Sequence, residues 1–246
     1  MMKQFKNRQE GFTLVELAIV MVIIGLLIGG ILKGQELIKN ATVTATAAQL
    51  KAFESAYTTF VDVYGGKPGD TNRAREKIQG CVNRCRNGDN NGWIRASNGA
   101  LYAPGTDDLT PGVNELYQGL RHMAAANLIG GVRTEVAASN EALVGAEMGG
   151  YLYVGEVLGN ASYHRGSGTA FTPAGVYVSH TFSYQHNPRT GRVLTPSEAS
   201  RLDTKADDGQ PGTGSMLATG LETCVNGRNY RYTNTDLACA FMFKIK

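Results

Sequence analysis

Residues 12–32 read FTLVELAIVMVIIGLLIGGIL, an apolar run with one charged residue, Glu16. As a helix rising about 1.5 Å per residue it is about 31 Å long, enough to cross a hydrocarbon core. Before it stands a polar leader, MMKQFKNRQEG at 1–11, in which Lys3, Lys6 and Arg8 face only Glu10. The positive-inside rule holds such a leader in the cytoplasm and sends the rest of the chain across the membrane. An ordinary secretory signal has a shorter apolar region closed by a small-residue cleavage site. Here KGQELIK follows at 33–39 instead. A plain signal anchor is the competing reading.

Two details argue against a plain anchor. Gly11 directly precedes Phe12, and a residue without a side chain lets a peptidase approach the backbone. Glu16 lies inside the apolar run, where a carboxylate costs about 2.5–3.5 kcal/mol at mid-membrane and less near the interface. Such residues mark a function that involves a partner. If the chain is cut after Gly11, Phe12 carries a new α-amine and Glu16 becomes the fifth residue. The amine of a neighbouring subunit, shifted along the axis, then meets that carboxylate.

GFTLVELAIVMVIIGLLIGGIL resembles the class III signal of type IV pilins and type II secretion pseudopilins. The resemblance implies cleavage between Gly11 and Phe12 by a prepilin peptidase and N-methylation of Phe12 by the associated N-methyltransferase activity. It also implies a subunit-docking role for Glu16. One departure stands out: many type IVa pilins carry a proline where this chain has Lys33. Gly25, Gly29, Gly30 and Gly34 form two G-x-x-x-G spacings instead. Each weakens a helix by about 1 kcal/mol relative to alanine. They suit close helix packing or local melting on assembly.

The apolar stripe continues past the membrane run. Val43, Ala47, Leu50, Phe53, Tyr57, Phe60 and Tyr64 recur every three or four residues, with Gln49, Lys51, Ser55, Thr58, Thr59 and Asp62 mostly elsewhere on the wheel. GGKPGD at 65–70 ends the pattern. A helix from Phe12 to Tyr64 is about 80 Å long, and its second half needs a sheet to cover it. The expected fold class is therefore α+β. By resemblance it is the pilin-like fold, a long N-terminal helix packed on an antiparallel β-sheet with loop-rich insertions. The expected divisions are a leader at 1–11, a helix at 12–64 whose transmembrane part is 12–32, and an exported globular domain at 65–246. Within that domain a helix is expected from Thr110 and Pro111 to about Leu128, closed by the Gly130–Gly131 pair. Strands are expected at 150–158, 175–185 and 239–245. TPSE at 195–198 fits a capping box opening a short helix toward Leu202.

Composition narrows the function classes. Only 18% of the 246 residues are charged, and the formal net charge of +3 excludes a strongly basic nucleic-acid binder. An apolar content of 42% excludes wholesale disorder. The 31 glycines carry no collagen-like period and read as turns. G-x-S-x-G, H-E-x-x-H and phosphate-loop motifs are absent, so hydrolysis by these motifs is unsupported, and the resemblance implies a structural subunit and not an enzyme.

The remaining constellations are smaller. Cys81, Cys85, Cys224 and Cys239 allow three disulfide connectivities. In an oxidising compartment the favoured set is Cys81–Cys85 as a local clip and Cys224–Cys239 closing a C-terminal loop. The second pair resembles the C-terminal disulfide loop of many type IV pilins. NGDNNGW at 87–93 resembles a fragment of a calcium loop but lacks the alternating ligands and the distal glutamate. Asp203, Asp207 and Asp208, beside the turn DGQPGTG, are candidate calcium ligands, since some pseudopilins hold calcium in a C-terminal loop; otherwise they simply build a turn. Apart from this candidate calcium no cofactor is expected. His122, His164, His180 and His186 lack ligand spacing.

The partners implied are other pilin subunits, the prepilin peptidase and, before assembly, the inner membrane. Afterwards the chain belongs to an extracellular pilus or a periplasmic pseudopilus. A third reading is a tethered module binding DNA, glycan or a surface through RNYRYTN at 228–234.

Overall fold

The computed structural model describes residues 12–82, 85–95, 115–132, 144–157, 161–162, 171–181, 192–220 and 223–246. The leader with Gly11, the expected helix start at Thr110 and Pro111, His164 and His186 lie outside them. The chain divides into two compact units, Met1–Ala41 and Thr42–Lys246. Helix α1, Leu14–Tyr64, supplies the described part of the first unit almost entirely and the opening element of the second.

In the first unit every described side chain before Lys33 is exposed, and Gly34 is only half-buried. The helix is long and apolar enough to cross a membrane, and its most apolar window buries nothing. In the second unit α1 buries Val43, Thr46, Ala47, Leu50, Phe53, Ala56, Tyr57 and Phe60. This is the expected stripe, widened by Thr46 and Ala56. Tyr64 is half-buried, and Lys51, Ser55, Thr58, Thr59 and Asp62 are exposed. Helix α1 stops where glycine can adopt a left-handed backbone: Gly65 has φ 67° and its N–H donates to Val61 O at 2.9 Å.

Among the described residues nine strands follow: β1 Val144–Gly145, β2 Tyr151–Val157, β3 Ala161–Ser162, β4 Phe171–Thr172, β5 Gly175–Thr181, β6 Met216–Thr219, β7 Val225–Asn226, β8 Asn229–Tyr230 and β9 Ala240–Lys244. Five form an antiparallel sheet in the order β1-β2-β5-β9-β6. The α+β class and the antiparallel sheet are as the sequence predicts. The expected strands at 150–158, 175–185 and 239–245 correspond to β2, β5 and β9. Alternation along β9 divides the core: Phe241 and Phe243 join the cluster around Leu50 and Phe60, while Met242 joins Val157, Tyr177 and Leu217. Polar contacts fasten α1 to its surroundings in this unit. Gln49 Nε2 donates to Gly145 O at 2.8 Å, the Lys246 N–H donates to Glu54 Oε1 at 3.1 Å, and Lys51 Nζ lies 4.8 Å from the centre of the Phe243 ring.

The described residues of this unit also form three short helices: α2 Ala74–Lys77, α3 Glu115–Ala125 and α4 Pro196–Ala206. The capping box of α4 is the expected one, with Thr195 and Glu198 bonding reciprocally, but the helix runs past Leu202 to Ala206. Helix α3 does not wait for Gly130–Gly131. Asn127 takes φ 57°, and the Leu128 N–H closes back onto Met123 O at 2.9 Å, because asparagine also tolerates the left-handed region. Both disulfides are the favoured pair, Cys81–Cys85 and Cys224–Cys239.

Candidate functional site

The amino end of α1 is capped by its own side chains. Glu16 Oε2 accepts from the Thr13 N–H at 2.9 Å and from Thr13 Oγ1 at 2.8 Å, and the Glu16 N–H donates back to Thr13 Oγ1 at 3.3 Å. This is a capping box, written in the sequence as Thr13-x-x-Glu16 just before the apolar run. Reading Glu16 only as an acid in an apolar run points to an intersubunit role and misses this local one. Phe12 is 91% exposed. Along the same segment a Cβ built on Gly25, Gly29, Gly30 or Gly34 meets nothing within 4 Å. Those glycines leave shallow positions that the chain itself does not fill.

The second unit gathers carboxylates in two places. Around the turn after α4, Asp203, Asp207 and Asp208 bring one oxygen each within 4.8 Å of one another. Each is engaged in building the turn. Asp203 Oδ2 accepts from Tyr230 Oη at 2.7 Å and Oδ1 from the Gly209 N–H at 3.3 Å. Asp207 Oδ2 accepts from the N–H groups of Ser215 and Met216, and Asp208 from the Gln210 N–H and Thr213 Oγ1. Burial pushes the Asp203 carboxyl up to about 7, against the Tyr230 hydrogen bond that favours its charged form. RNYRYTN falls on β8 and the residues after it. There Tyr230 is tied to Asp203, and Tyr232 Oη lies 2.8 Å from Ser200 Oγ on α4. These two tyrosines therefore hold α4.

The second gathering joins segments far apart in sequence. Asp70 follows the turn after α1, Asp89 sits in the loop at 87–93 and Glu115 opens α3. Glu115 Oε1 accepts from the Asp89 N–H at 3.1 Å and Oε2 from the Arg95 N–H at 3.2 Å. Asp70 Oδ2 accepts from the Gly92 N–H at 3.1 Å. The loop approaches so closely that a Cβ on Gly88 would lie 2.1 Å from Gly69 O, so only glycine fits there. The loop is conspicuous in the sequence, whereas Asp70 and Glu115 are not. Their one signal is a carboxylate beside a turn and another beside an apolar helix.

A third group, Cys81, Cys85 and His122, offers no thiolates, because the two sulfurs are bonded to each other. His122 is fixed as a neutral ring. Nδ1 accepts from the Gly69 N–H at 2.9 Å and Nε2–H donates to Arg86 O at 2.6 Å. His180 is likewise buried, its Nε2–H donating to Gly149 O at 2.7 Å and its ring stacked on Phe241 at 4.5 Å. Burial lowers both to about 4.

These histidines predict acid sensitivity. A histidine depressed on folding contributes its full stability above the unfolded value near 6.5 and loses it as pH falls toward 4. From pH 7 to 5 the loss is on the order of 1–2 kcal/mol for each histidine. Glu115, raised by burial, works in the opposite sense over part of this range. The difference between the parent and His180→Phe therefore isolates the effect. The full-length chain in detergent micelles, melted at a series of pH values, is expected to show a shallower acid decline for the variant. Parallel declines would rule His180 out.

No curated protein and no solved structure matches the chain. A family model does, over the last leader residues and the apolar run described above. Such a match supports a type IV pilin-like or pseudopilin-type substrate, and with the apolar helix it fits a membrane-anchored precursor. Over residues 6–32 the chain carries the prokaryotic N-terminal methylation motif, the class III signal peptide of type IV pilins.

Proposed function

We propose that the protein is a pilin, a structural subunit of a type IV pilus-like filament. It is cleaved after Gly11, N-methylated at Phe12 and polymerised through its N-terminal helix. The observation that carries this reading is the coincidence of the methylation motif with a helical segment whose apolar side chains find no cover among the described residues. Ile19, Leu26 and Leu32 are 54%, 73% and 62% exposed. Leaving such a side chain in water costs about 1.5–3 kcal/mol, so a segment drawn out of lipid into a filament has to be covered by the helices of neighbouring subunits. The four open glycines let those helices approach closely.

In this reading Glu16 sets the axial register. Its carboxylate caps its own helix before assembly and accepts the Phe12 amine of a neighbour afterwards, a charge-assisted bond. Intact mass and N-terminal sequencing of the protein from sheared surface filaments test the proposal. A chain beginning at N-methylated Phe12 is expected there. The same mature chain confined to the cell envelope would make it a pseudopilin. A chain that keeps its leader in cells with active peptidase would make it a tethered module.

A further inference from the structure

Asp70, Asp89 and Glu115 bring one carboxylate oxygen each within 4.8 Å of one another. Asp70 is 5% exposed and Glu115 1%, while Asp89 opens to solvent. The neighbouring N–H groups already described use both oxygens of Glu115 and Oδ2 of Asp70. Oδ1 of Asp70 is buried with no hydrogen-bond partner. The adjacent ammonium is committed elsewhere: Lys67 Nζ bonds both carboxylate oxygens of Glu156 at 2.9 and 2.8 Å and Gly92 O at 2.6 Å. Buried carboxylates with an orphaned oxygen and an open side form a site that lacks its positive charge.

We propose that these three carboxylates hold a calcium ion. The donors are all oxygen, which selects a hard cation over zinc or copper. Calcium–oxygen distances place opposite ligands about 4.6–5.2 Å apart, and magnesium demands a tighter octahedron of about 4.0–4.2 Å. Carboxylates gathered from three separate segments suit calcium's larger, flexible shell of six to eight oxygens better than magnesium's near-ideal octahedron. Asp70 Oδ1 gains the partner it lacks, Asp89 is the point of entry, and water completes the shell. The loop at 87–93 has no distal glutamate in sequence, yet Glu115, 26 residues beyond Asp89, stands in that place in space. The bound ion ties together the turn after α1, the loop and the start of α3.

The test uses the full-length chain in detergent, stripped with a chelator. It is titrated with calcium chloride and, separately, with terbium excited through Trp93. That is the chain's single tryptophan, whose N–H donates to Asn91 Oδ1 within the loop. A Kd of about 10⁻⁴–10⁻³ M, as in extracellular modules, is expected. Calcium at tenfold that concentration is expected to raise Tm by about 3–6 °C. Asp89→Asn is expected to lose the shift and the terbium signal while keeping the parent's Tm in chelator. Asp70→Asn, the second variant, loses both as well, and Asp208→Asn in the other acidic turn keeps both. A parent chain with neither response overturns the proposal. So does a response that survives Asp89→Asn and Asp70→Asn, or one that vanishes in Asp208→Asn.

Discussion

Replacing Gly11 by glutamate is expected to leave the chain in the membrane as an uncleaved precursor and to remove it from filaments altogether. A peptidase must bring its catalytic groups against the Gly11 carbonyl, and a side chain at that position blocks the approach. The consequence reaches past the cut. With the leader attached, the nitrogen of Phe12 is an amide, so it carries no charge for a neighbour's Glu16 and cannot be methylated. An immunoblot of membrane and sheared-filament fractions reads the outcome directly. Filaments that contain the Gly11→Glu chain in normal amount would refute assembly through a freed Phe12 amine.

The second large effect falls on the folded unit. Phe60→Ala is expected to destabilise it by about 3–5 kcal/mol, the usual range for emptying a buried aromatic site. Phe60 is fully buried, with its ring centre 4.6 Å from Tyr64 and 6.1 Å from His122. It therefore supports both the end of α1 and the face of α3. For a unit of this size the loss corresponds to a Tm roughly 6–20 °C lower. Three residues on, Val63 is 66% exposed, and Val63→Ala is expected to change stability by less than about 0.5 kcal/mol. Thermal melts of both variants in the same detergent make the comparison. Equal losses would mean that the buried face of α1 has been misassigned.

The contrast between Phe60 and Val63 is readable in the sequence because a helix repeats every 3.6 residues and one face must be covered. The same logic finds β2, β5 and β9, each rich in β-branched or aromatic residues. It misses β6, whose four residues Met216–Thr219 are too few to show a period, although β6 closes one edge of the sheet. It also reads RNYRYTN as a basic patch, since sequence does not show that Tyr230 reaches Asp203 across 27 residues. The carboxylates divide the same way. Asp203, Asp207 and Asp208 are neighbours in the chain and are visible as a group. Asp70 and Glu115 meet Asp89 only because α3 packs beside the turn after α1, and no local pattern encodes that encounter.

The sheet has a consequence for how the chain reaches this state. Glu54 on α1 bonds a backbone N–H 192 residues later, and β9 fills the gap between β5 and β6. Contacts so distant in sequence form late, since a long loop must close before any of them is rewarded. Until β9 arrives, Leu50, Phe53 and Phe60 lack Phe241 and Phe243 from their cluster. The newborn domain therefore passes through an interval in which part of its apolar core is uncovered. In a membrane-anchored precursor the apolar helix holds each copy in place while that interval lasts.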